Sequence, residues 1–168
     1  VMPIKHLKQW MDKLPEAMFV NLYGPTEITC NCSFYKIDRS KEYTEIPIGK
    51  HFINERIILL DENSQEVKEE LVSGEICVVG SCLALGYYNN VEQTNQAFVQ
   101  NPLHKKYNEF LYRTGDLAKY DKEGNLIFVG RKDFQIKYQG HRIELEEIDR
   151  QILKIDEIKR VCTLFYEK

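Results

Sequence analysis

The sequence lacks the features that mark membrane-spanning and nucleic-acid-binding proteins. It contains no apolar run close to the roughly 20 residues that a helix needs to cross a bilayer, so no membrane span is expected. Its basic residues are scattered rather than gathered into a stripe, and its net charge is −3. Nucleic acid and anionic membranes are therefore not expected partners.

The cysteines do not have the number or the spacing of a disulfide framework or a zinc site. There are five, an odd number. Neither the pair Cys30 and Cys32 nor the pair Cys77 and Cys82 has the spacing of zinc ligands. Because free cysteine behaves as a small hydrophobic residue, buried reduced thiols are expected. Reduced thiols favour a cytoplasmic location.

What the sequence does contain is typical of an ordered globular protein. Hydrophobic residues make up 43% of the 168 positions and charged residues 29%, and this length is enough for about one domain with a sizeable core. An amphipathic helical pattern runs from Ile4 to Leu14, and Trp10 is expected in the core. Residues 161–166 read as a strand that stops without a cap. Both ends predict that the chain is a fragment of a longer protein.

Short strand-like runs fill the middle of the chain. Turn residues at 61–64 and 121–125 separate several of them, and a short helix is predicted at 91–98. This spacing predicts a small antiparallel sheet or a distorted barrel. The predicted strands are residues 18–20, 56–60, 75–79, 117–120 and 126–129.

A second, smaller domain is predicted after a boundary at residues 130–133. Beyond it, residues 134–138 alternate as a strand, residues 145–155 carry apolar side chains on one helical face, and residues 158–166 are predicted to form a final strand. The predicted class is α+β. The predicted domains are residues 1–132 and residues 133–168.

The loop that follows the first strand offers three kinds of functional group. A Gly-Pro pair fixes a tight turn there, and Tyr23, Thr26 and Glu27 lie on it. An aromatic face can stack on a nucleobase, a hydroxyl can bond a phosphate, and a carboxylate can hold Mg²⁺. Taken alone, the loop is better explained as an ordinary turn with a buried tyrosine.

Two later positions carry groups suited to a nucleotide. Asp116, beside a glycine, can bring both carboxylate oxygens to a vicinal diol, as acidic residues do with ribose. Arg131 can clamp phosphate or ribose oxygens through its planar guanidinium. The alternatives are a polar turn at Asp116 and a surface salt bridge at Arg131.

The order of these segments is more specific than any one of them. The strings NLYGPTE, GEICVVG, LGYYN and YRTGDLAKYDKEGNLIFVGRKDFQIKYQGHRIELEEID together strongly resemble the adenylate-forming superfamily. That superfamily includes the amino-acid adenylation domains of peptide synthetases, acyl-coenzyme A synthetases and luciferase-like enzymes. The resemblance covers residues 3–166. It implies the C-terminal part of a large adenylation region with a distorted antiparallel β-barrel, then the start of a small α+β lid domain.

The resemblance implies binding of ATP and Mg²⁺. Asn21 and Tyr23 match positions that contact adenine, and Asp116 matches the ribose-diol acid. Arg131 matches a second ribose and phosphate contact. The catalytic and metal-binding positions of the loop are then Thr26 for phosphate and Glu27 for magnesium.

The remaining matched positions concern the acyl substrate and its transfer. Asp133 matches the hinge about which the small domain rotates. Lys137 and Gly140 match the loop that enters the site during acyl transfer to a thiol, and Lys137 is the predicted catalytic residue of that loop. The acyl-substrate pocket matches Leu22, Cys30 and Asn31.

Pro25 and Asp133 resemble the amino-acid-activating branch more than the coenzyme A branch. The implied partners are an amino acid and a phosphopantetheinylated carrier protein. The run from Asp133 onward is most similar to ligases that load D-alanine onto a carrier protein. Two alternatives are an acyl-coenzyme A synthetase and a catalytically degenerate homologue that binds nucleotide or a partner. The family's phosphate loop and its C-terminal lysine lie outside these 168 residues, so the chain alone is predicted to be inactive.

Overall fold

The computed structural model describes residues 3–133 and 135–166, without the side chains of Lys137 and Glu146. The chain divides into two compact units, Val1–Gly130 and Arg131–Lys168. The assignment of these units to a large adenylation region and a small lid domain stays a prediction.

The first unit opens with a helix and a small antiparallel sheet. Helix α1 spans Ile4–Lys13. Strands β1 (Val20–Tyr23), β2 (Ser33–Lys36) and β3 (Lys50–His51) then form a three-stranded sheet in the order β1-β2-β3. Leu7 of the helix packs with Ile37 and Ile46 in a small apolar cluster beside this sheet. Strand β1 of this sheet ends at Tyr23, and the loop of Tyr23 begins there.

A second antiparallel sheet of five strands contains most of the core. Its strand order is β4-β5-β7-β6, and β8 pairs with β7. The pattern of β5 is apolar at almost every position, and the strand is buried along nearly its whole length, as expected for a central strand. Helix α2 (Val91–Ala97) precedes β6. The strands are β4 (Glu55–Leu60), β5 (Gly74–Gly80), β6 (Phe98–Gln100), β7 (Phe110–Tyr120) and β8 (Leu126–Arg131).

Strand β7 contains an irregularity that matters for the site. Glu75 pairs with Leu117 while Cys77 pairs with Arg113, so two steps along β5 correspond to four steps along β7. The extra residues include Gly115, whose φ is 72°. A bulge of this kind re-aims side chains and often uses glycine in the left-handed region.

The two sheets are joined through Gly49. Its N–H and carbonyl both bond the backbone of Leu126 at the start of β8. Its φ is +82°, and a Cβ added there would lie 1.8 Å from the carbonyl oxygen of Phe34. Only glycine lets the chain pass this close to β2. This junction connects the three-stranded sheet, in which β1 ends at Tyr23, with the five-stranded sheet, in which β7 carries Asp116.

The second unit is a hairpin followed by a helix. Strands β9 (Gln135–Tyr138) and β10 (His141–Glu144) pair antiparallel, and α3 spans Leu145–Ile152. Asp149 of α3 accepts hydrogen bonds from the backbone N–H and the hydroxyl of Thr163. These contacts hold the segment after the helix against it.

The predicted α+β class and the antiparallel sheets are confirmed. The predicted strand at residues 158–166 is wrong: this segment has no regular structure, because no described strand pairs with it and a strand needs a partner for its backbone groups. The prediction that Trp10 lies in the core is also wrong, since Trp10 is 61% exposed and Leu7 takes the buried face of α1. None of the helices that the structure describes combines the length and apolar character of a membrane span.

Candidate functional site

The loop after β1 is closed by its own backbone. The N–H of Cys32 donates to the carbonyl of Tyr23 at 2.8 Å, and Thr26–Ile28 forms one 3₁₀ turn between them. A Cβ on Gly24 would lie 2.5 Å from Cα of Asn31. The loop therefore folds back on itself tightly, and glycine is required where its two sides meet.

Tyr23 and Asp116 meet although they lie 93 residues apart in the sequence. The hydroxyl of Tyr23 donates to Oδ2 of Asp116 at 2.5 Å. Asp116 is buried. Burial, together with the neighbouring carboxylate, raises the pKa of Tyr23 well above its usual value, so the phenol stays protonated and remains a donor near neutral pH. The structure thus brings together the predicted adenine-stacking ring and the predicted ribose acid.

Asp116 is held by the bulge in β7. Its N–H donates to the hydroxyl of Thr114 at 3.0 Å, and that hydroxyl donates to the carbonyl of Ile76 at 2.8 Å. Thr114 is itself buried. The position of the carboxylate is therefore set by β5, the neighbouring strand.

A buried glutamate on β5, which the sequence prediction left without a role, stabilises the same bulge. Oε2 of Glu75 accepts from Nε and Nη2 of Arg113 at 3.1 and 2.5 Å, and its Oε1 accepts from the N–H of Gly115 at 3.3 Å. Glu75 lies in the GEICVVG string and Arg113 in the YRTGD string. These two strings could have drawn attention to the residues, but nothing in either string shows that Glu75 and Arg113 pair across the sheet.

Glu27, the predicted magnesium ligand, is buried in the loop. Its Oε1 accepts from the hydroxyl of Tyr87 at 2.7 Å, and its backbone carbonyl accepts from the N–H of Ala84 at 2.8 Å. Tyr87 is a second residue to which sequence reasoning gave no role. Its signal was the LGYYN string, but a contact across 60 residues cannot be deduced from that string alone.

The other predicted positions of the first unit are spread over the loop and β1. Asn21 lies on the same face of β1 as Tyr23 and donates to the carbonyl of Pro47 at 2.7 Å. Thr26 is exposed at the start of the 3₁₀ turn. The predicted substrate-pocket residues are Leu22, half-exposed on the opposite face of β1, Cys30, exposed with φ of 80°, and Asn31, half-buried.

The predicted residues of the second unit make contacts close in sequence. Arg131 donates from Nε and Nη2 to the two carboxylate oxygens of Asp133, both at 2.6 Å. Burial raises the pKa of Asp133, but the hydrogen bonds from Arg131 and from the N–H of Gln135, with the charges of Arg131 and Arg142, outweigh it, so the pKa is lowered. Asp133 also accepts from the N–H of Gln135. The predicted hinge residue is thus fixed to the arginine two positions before it.

The predicted transfer loop is the two-residue turn of the β9–β10 hairpin. Gln139 and Gly140 have φ of 48° and 83°, and two left-handed residues are the conformation that two-residue hairpins favour. Lys137 pairs with Arg142 through the backbone of β9. Its side chain, which carries the predicted catalytic role, lies outside the described residues.

The donor set around Glu27 is compatible with magnesium held mainly by phosphate. Among residues 3–133 and 135–166, no group of three or more His, Cys, Asp and Glu side chains could hold a metal ion. Magnesium in nucleotide sites takes one or two carboxylates and completes its shell with substrate phosphates and water. A single buried carboxylate at the end of a tight loop fits that arrangement.

Two of the predicted buried thiols are correct and two are not. Cys32 and Cys77 are buried, whereas Cys30 and Cys162 are exposed, and none of the five cysteines forms a disulfide within the described residues. Burial raises the pKa of the Cys82 thiol to about 11. At neutral pH this thiol is therefore not a nucleophile.

The sequence of this chain matches a known protein family and known synthases. Residues 1–88 match the family of AMP-binding enzymes. Tyrocidine synthase 3 of Brevibacillus parabrevis is 39% identical over 149 residues, which are 89% of this chain and 2% of the synthase. Surfactin synthase subunit 1 of Bacillus subtilis (strain 168) is 35% identical over 96% of this chain and 4% of its own length.

A solved structure is similar as well. The structure of PA1221, an NRPS protein containing adenylation and PCP domains, has a TM-score of 0.83 and 36% identity, and the match covers 90% of this chain and 31% of that one. The chain therefore spans less than a third of each of these three relatives.

Proposed function

Because the chain belongs to the AMP-binding enzyme family, in its amino-acid adenylation branch, we propose that the protein containing it uses ATP to activate an amino acid. The observation that carries the proposal is the contact of Tyr23 with Asp116, which unites the adenine-stacking ring and the ribose-binding acid. Glu27, the metal-binding carboxylate, lies four residues after Tyr23 on the same closed loop.

The proposed reaction forms an aminoacyl-adenylate. A carboxylate oxygen of the amino acid bonds to the α-phosphorus of ATP, the bond from that phosphorus to the bridging oxygen breaks, and pyrophosphate leaves with the electron pair. Two anions must approach each other, and Mg²⁺ supplies neutralisation of the phosphate charge. Glu27 would hold that ion, the exposed hydroxyl of Thr26 would bond a phosphate oxygen, and Asn21 with Tyr23 would hold adenine.

The second unit has residues suited to a second half-reaction. In this proposal Asp133 is the hinge, Arg131 a ribose and phosphate contact, and Lys137 and Gly140 part of the loop that enters for transfer. The acyl group would pass from the adenylate to the phosphopantetheine thiol of a carrier protein, and AMP would leave. PA1221, which contains a PCP (peptidyl carrier protein) domain besides its adenylation domain, supports a carrier as partner.

The substrate we propose is D-alanine, activated in the cytoplasm. The similarity of residues 133–148 to D-alanine ligases favours it. The residues that would contact it are Leu22, Cys30 and Asn31, which lie on or beside the Tyr23 loop. Leu22 is bulky and would narrow the pocket, which suits a small amino acid.

The test is ATP–pyrophosphate exchange by the full-length protein against amino acids of both chiralities and a few fatty and aromatic acids. Exchange stimulated by D-alanine confirms both the reaction and the substrate, and exchange with another amino acid confirms the reaction alone. Exchange only with fatty or aromatic acids would place the protein in the coenzyme A branch. No exchange with any of them would favour a catalytically degenerate homologue.

The isolated 168-residue chain provides the matching negative control. The phosphate loop and the C-terminal lysine of the family act on the reacting groups and lie outside these residues. We expect no adenylate formation by the chain alone, and adenylate detected with it would contradict this expectation.

A further inference from the structure

The segment between β5 and α2 touches Glu27 at two separate points. The N–H of Ala84 donates to the backbone carbonyl of Glu27 at 2.8 Å, and the hydroxyl of Tyr87 donates to its Oε1 at 2.7 Å. One contact fixes the backbone of the glutamate and the other fixes its carboxylate. We call residues 84–87 the Glu27 strap.

The strap is itself fixed at its far end to α2. Gly86 has φ of +135°, and a Cβ added there would lie 2.5 Å from Cγ2 of Thr94. The N–H of Tyr87 donates to Oγ1 of Thr94 at 2.9 Å. Gly86 therefore lets the strap lie directly against the helix, and Thr94 fixes the backbone of the residue that reaches Glu27.

The ring of Tyr87 is partly buried and packs against the core, which restricts the positions that its hydroxyl can take. It makes an edge contact with Phe98 at a centroid distance of 5.8 Å, and its hydroxyl lies 3.5 Å from that of Tyr112. A phenol held in a packed position is a fixed donor toward one carboxylate oxygen.

We propose that Tyr87 is a positioning residue that orients the carboxylate of Glu27 for a magnesium–nucleotide complex. The inference rests on the proposed function, because it assumes that Glu27 binds that ion. Partners behind a metal ligand orient it, and their loss commonly weakens metal affinity by about 10–100-fold. Without the phenol, the carboxylate would keep its charge but lose the hydrogen bond from Tyr87 to its Oε1.

The neighbouring tyrosine provides a matched control. Tyr88 is 93% exposed, whereas the Tyr87 hydroxyl donates to a buried carboxylate. Y87F and Y88F remove the same hydroxyl atom from adjacent positions. Only Y87F is expected to change nucleotide binding in the presence of magnesium.

The experiment is calorimetric binding of a non-hydrolysable ATP analogue to the full-length protein, with MgCl₂ and with EDTA. We call the ratio of the affinity in MgCl₂ to the affinity in EDTA the magnesium gain. In wild type, Mg²⁺ should strengthen binding of the analogue, so this gain should exceed one. In Y87F we expect this gain to fall by about 10-fold, while affinity in EDTA and the thermal unfolding midpoint stay close to those of Y88F. Thr94→Val, which removes the hydroxyl that holds the N–H of Tyr87, should shift the gain in the same direction by less.

Two results would overturn the positioning role. One is a magnesium gain in Y87F equal to that in Y88F. The other is an equal loss of affinity in MgCl₂ and in EDTA, because that would be general damage to the site. If Y87F does not fold, Thr94→Val decides by the same comparison.

Glu27→Gln separates this inference from the proposed function. If this variant loses the magnesium gain while Y87F keeps it, Glu27 binds the ion and only the role of Tyr87 is wrong. If wild type shows no magnesium gain and Glu27→Gln behaves identically, the proposed role of Glu27 fails, and the inference fails with it.

Discussion

The two units hold their candidate site residues in opposite ways. In the first unit, Tyr23 reaches Asp116 across 93 residues and Tyr87 reaches Glu27 across 60. In the second unit, Arg131 and Asp133 bond each other two residues apart, and Gly140 lies in a two-residue turn. The first set exists only when both sheets are assembled, whereas the second set forms from local chain geometry.

This difference indicates how each unit should respond to substitution. In the first unit, Asp116 and the bulge of β7 that holds it take part in the packing between strands, so changes in the bulge should lower stability and nucleotide binding together. Site residues of the second unit are bonded locally, and Gly140 is exposed, so changes there should leave the core of the first unit intact. Groups that packing holds in place beforehand suit the nucleotide binding proposed for the first unit.

The largest effect is expected from Gly49→Ala at the junction of the two sheets. The added Cβ would lie 1.8 Å from the carbonyl oxygen of Phe34, a backbone atom that cannot rotate away. We expect the free energy of unfolding of the first unit to fall by about 4 kcal/mol or more, in the range of the most damaging substitutions. Hydrogen exchange of the β1, β2 and β3 amides in the full-length protein measures it.

Gly124→Ala is the matched control for this prediction. Gly124 also has a positive φ, +73°, but a Cβ added there would meet no atom within 4 Å. Only the left-handed conformation should then cost stability, about 1–2 kcal/mol. Equal losses in the free energy of unfolding for the two substitutions would show that the backbone at the junction can move to accommodate the added Cβ, contrary to the close packing at Gly49.

A smaller effect is expected from Glu75→Gln in the bulge of β7. Removing one charge leaves Arg113 without its carboxylate partner. The side chain of Arg113 is 26% exposed and that of Glu75 is 7% exposed, so the cost should lie below the 3–5 kcal/mol of a fully buried pair, at about 2–3 kcal/mol. Because the bulge also positions Asp116, AMP binding by calorimetry should weaken as well.

The exposed ion pair of Lys41 with Glu123 tests whether charge alone explains that result. Its partners have side chains 43% and 60% exposed. Glu123→Gln should leave both stability and AMP binding close to wild type, because solvent screens an exposed pair. Weaker AMP binding in Glu123→Gln, equal to that in Glu75→Gln, would refute the specific role given to the bulge.

Periodicity and turn chemistry predicted most elements of the first unit. Helices α1 and α2 and strands β4, β5 and β8 lie within a few residues of their predicted positions, because their apolar patterns are local properties of the sequence. Strand β7 was predicted only from residue 117, yet it begins at Phe110. Its glycine-containing bulge resembles a turn until the partner strand is known.

The motif resemblance selected candidate residues but not the contacts among them. It named Tyr23, Glu27 and Asp116, and the structure gives each a fixed partner. It gave no role to Tyr87 or Glu75, because the sequence contains no record of which distant strand or loop they face. Register and long-range pairing depend on the whole sheet, which a single segment cannot specify.

Alkaline pH should lower the stability of the first unit through Tyr23, an effect that the second unit does not share. The pKa of Tyr23 is higher in the folded protein than its ordinary value of 10.0. Its contribution to stability is therefore complete below pH 10 and is lost as the pH rises toward the folded pKa. Above pH 10, the free energy of unfolding of the first unit should fall by up to about 1.4 kcal/mol per pH unit through this group.

The measurement is urea unfolding at several pH values between 9 and about 11.5, followed by hydrogen exchange in the β1 strand. Tyr23→Phe keeps the ring and removes the titrating hydroxyl, so its loss of stability over this range should be less steep than that of wild type. Parallel curves for the two proteins would mean that Tyr23 titrates normally and is not held against Asp116.

Among the substitutions of candidate site residues, the smallest effect on stability is expected from Gly140→Ala in the hairpin of the second unit. Gly140 has φ of +83°, close to that of Gly49, but a Cβ added there would meet no atom within 4 Å. We expect a loss of about 1 kcal/mol, confined to the amides of β9 and β10. If the turn enters the site for transfer, ATP–pyrophosphate exchange should stay near wild type while loading of the carrier thiol slows. Equal slowing of both half-reactions would place Gly140 in the first step and remove the functional contrast between the two units.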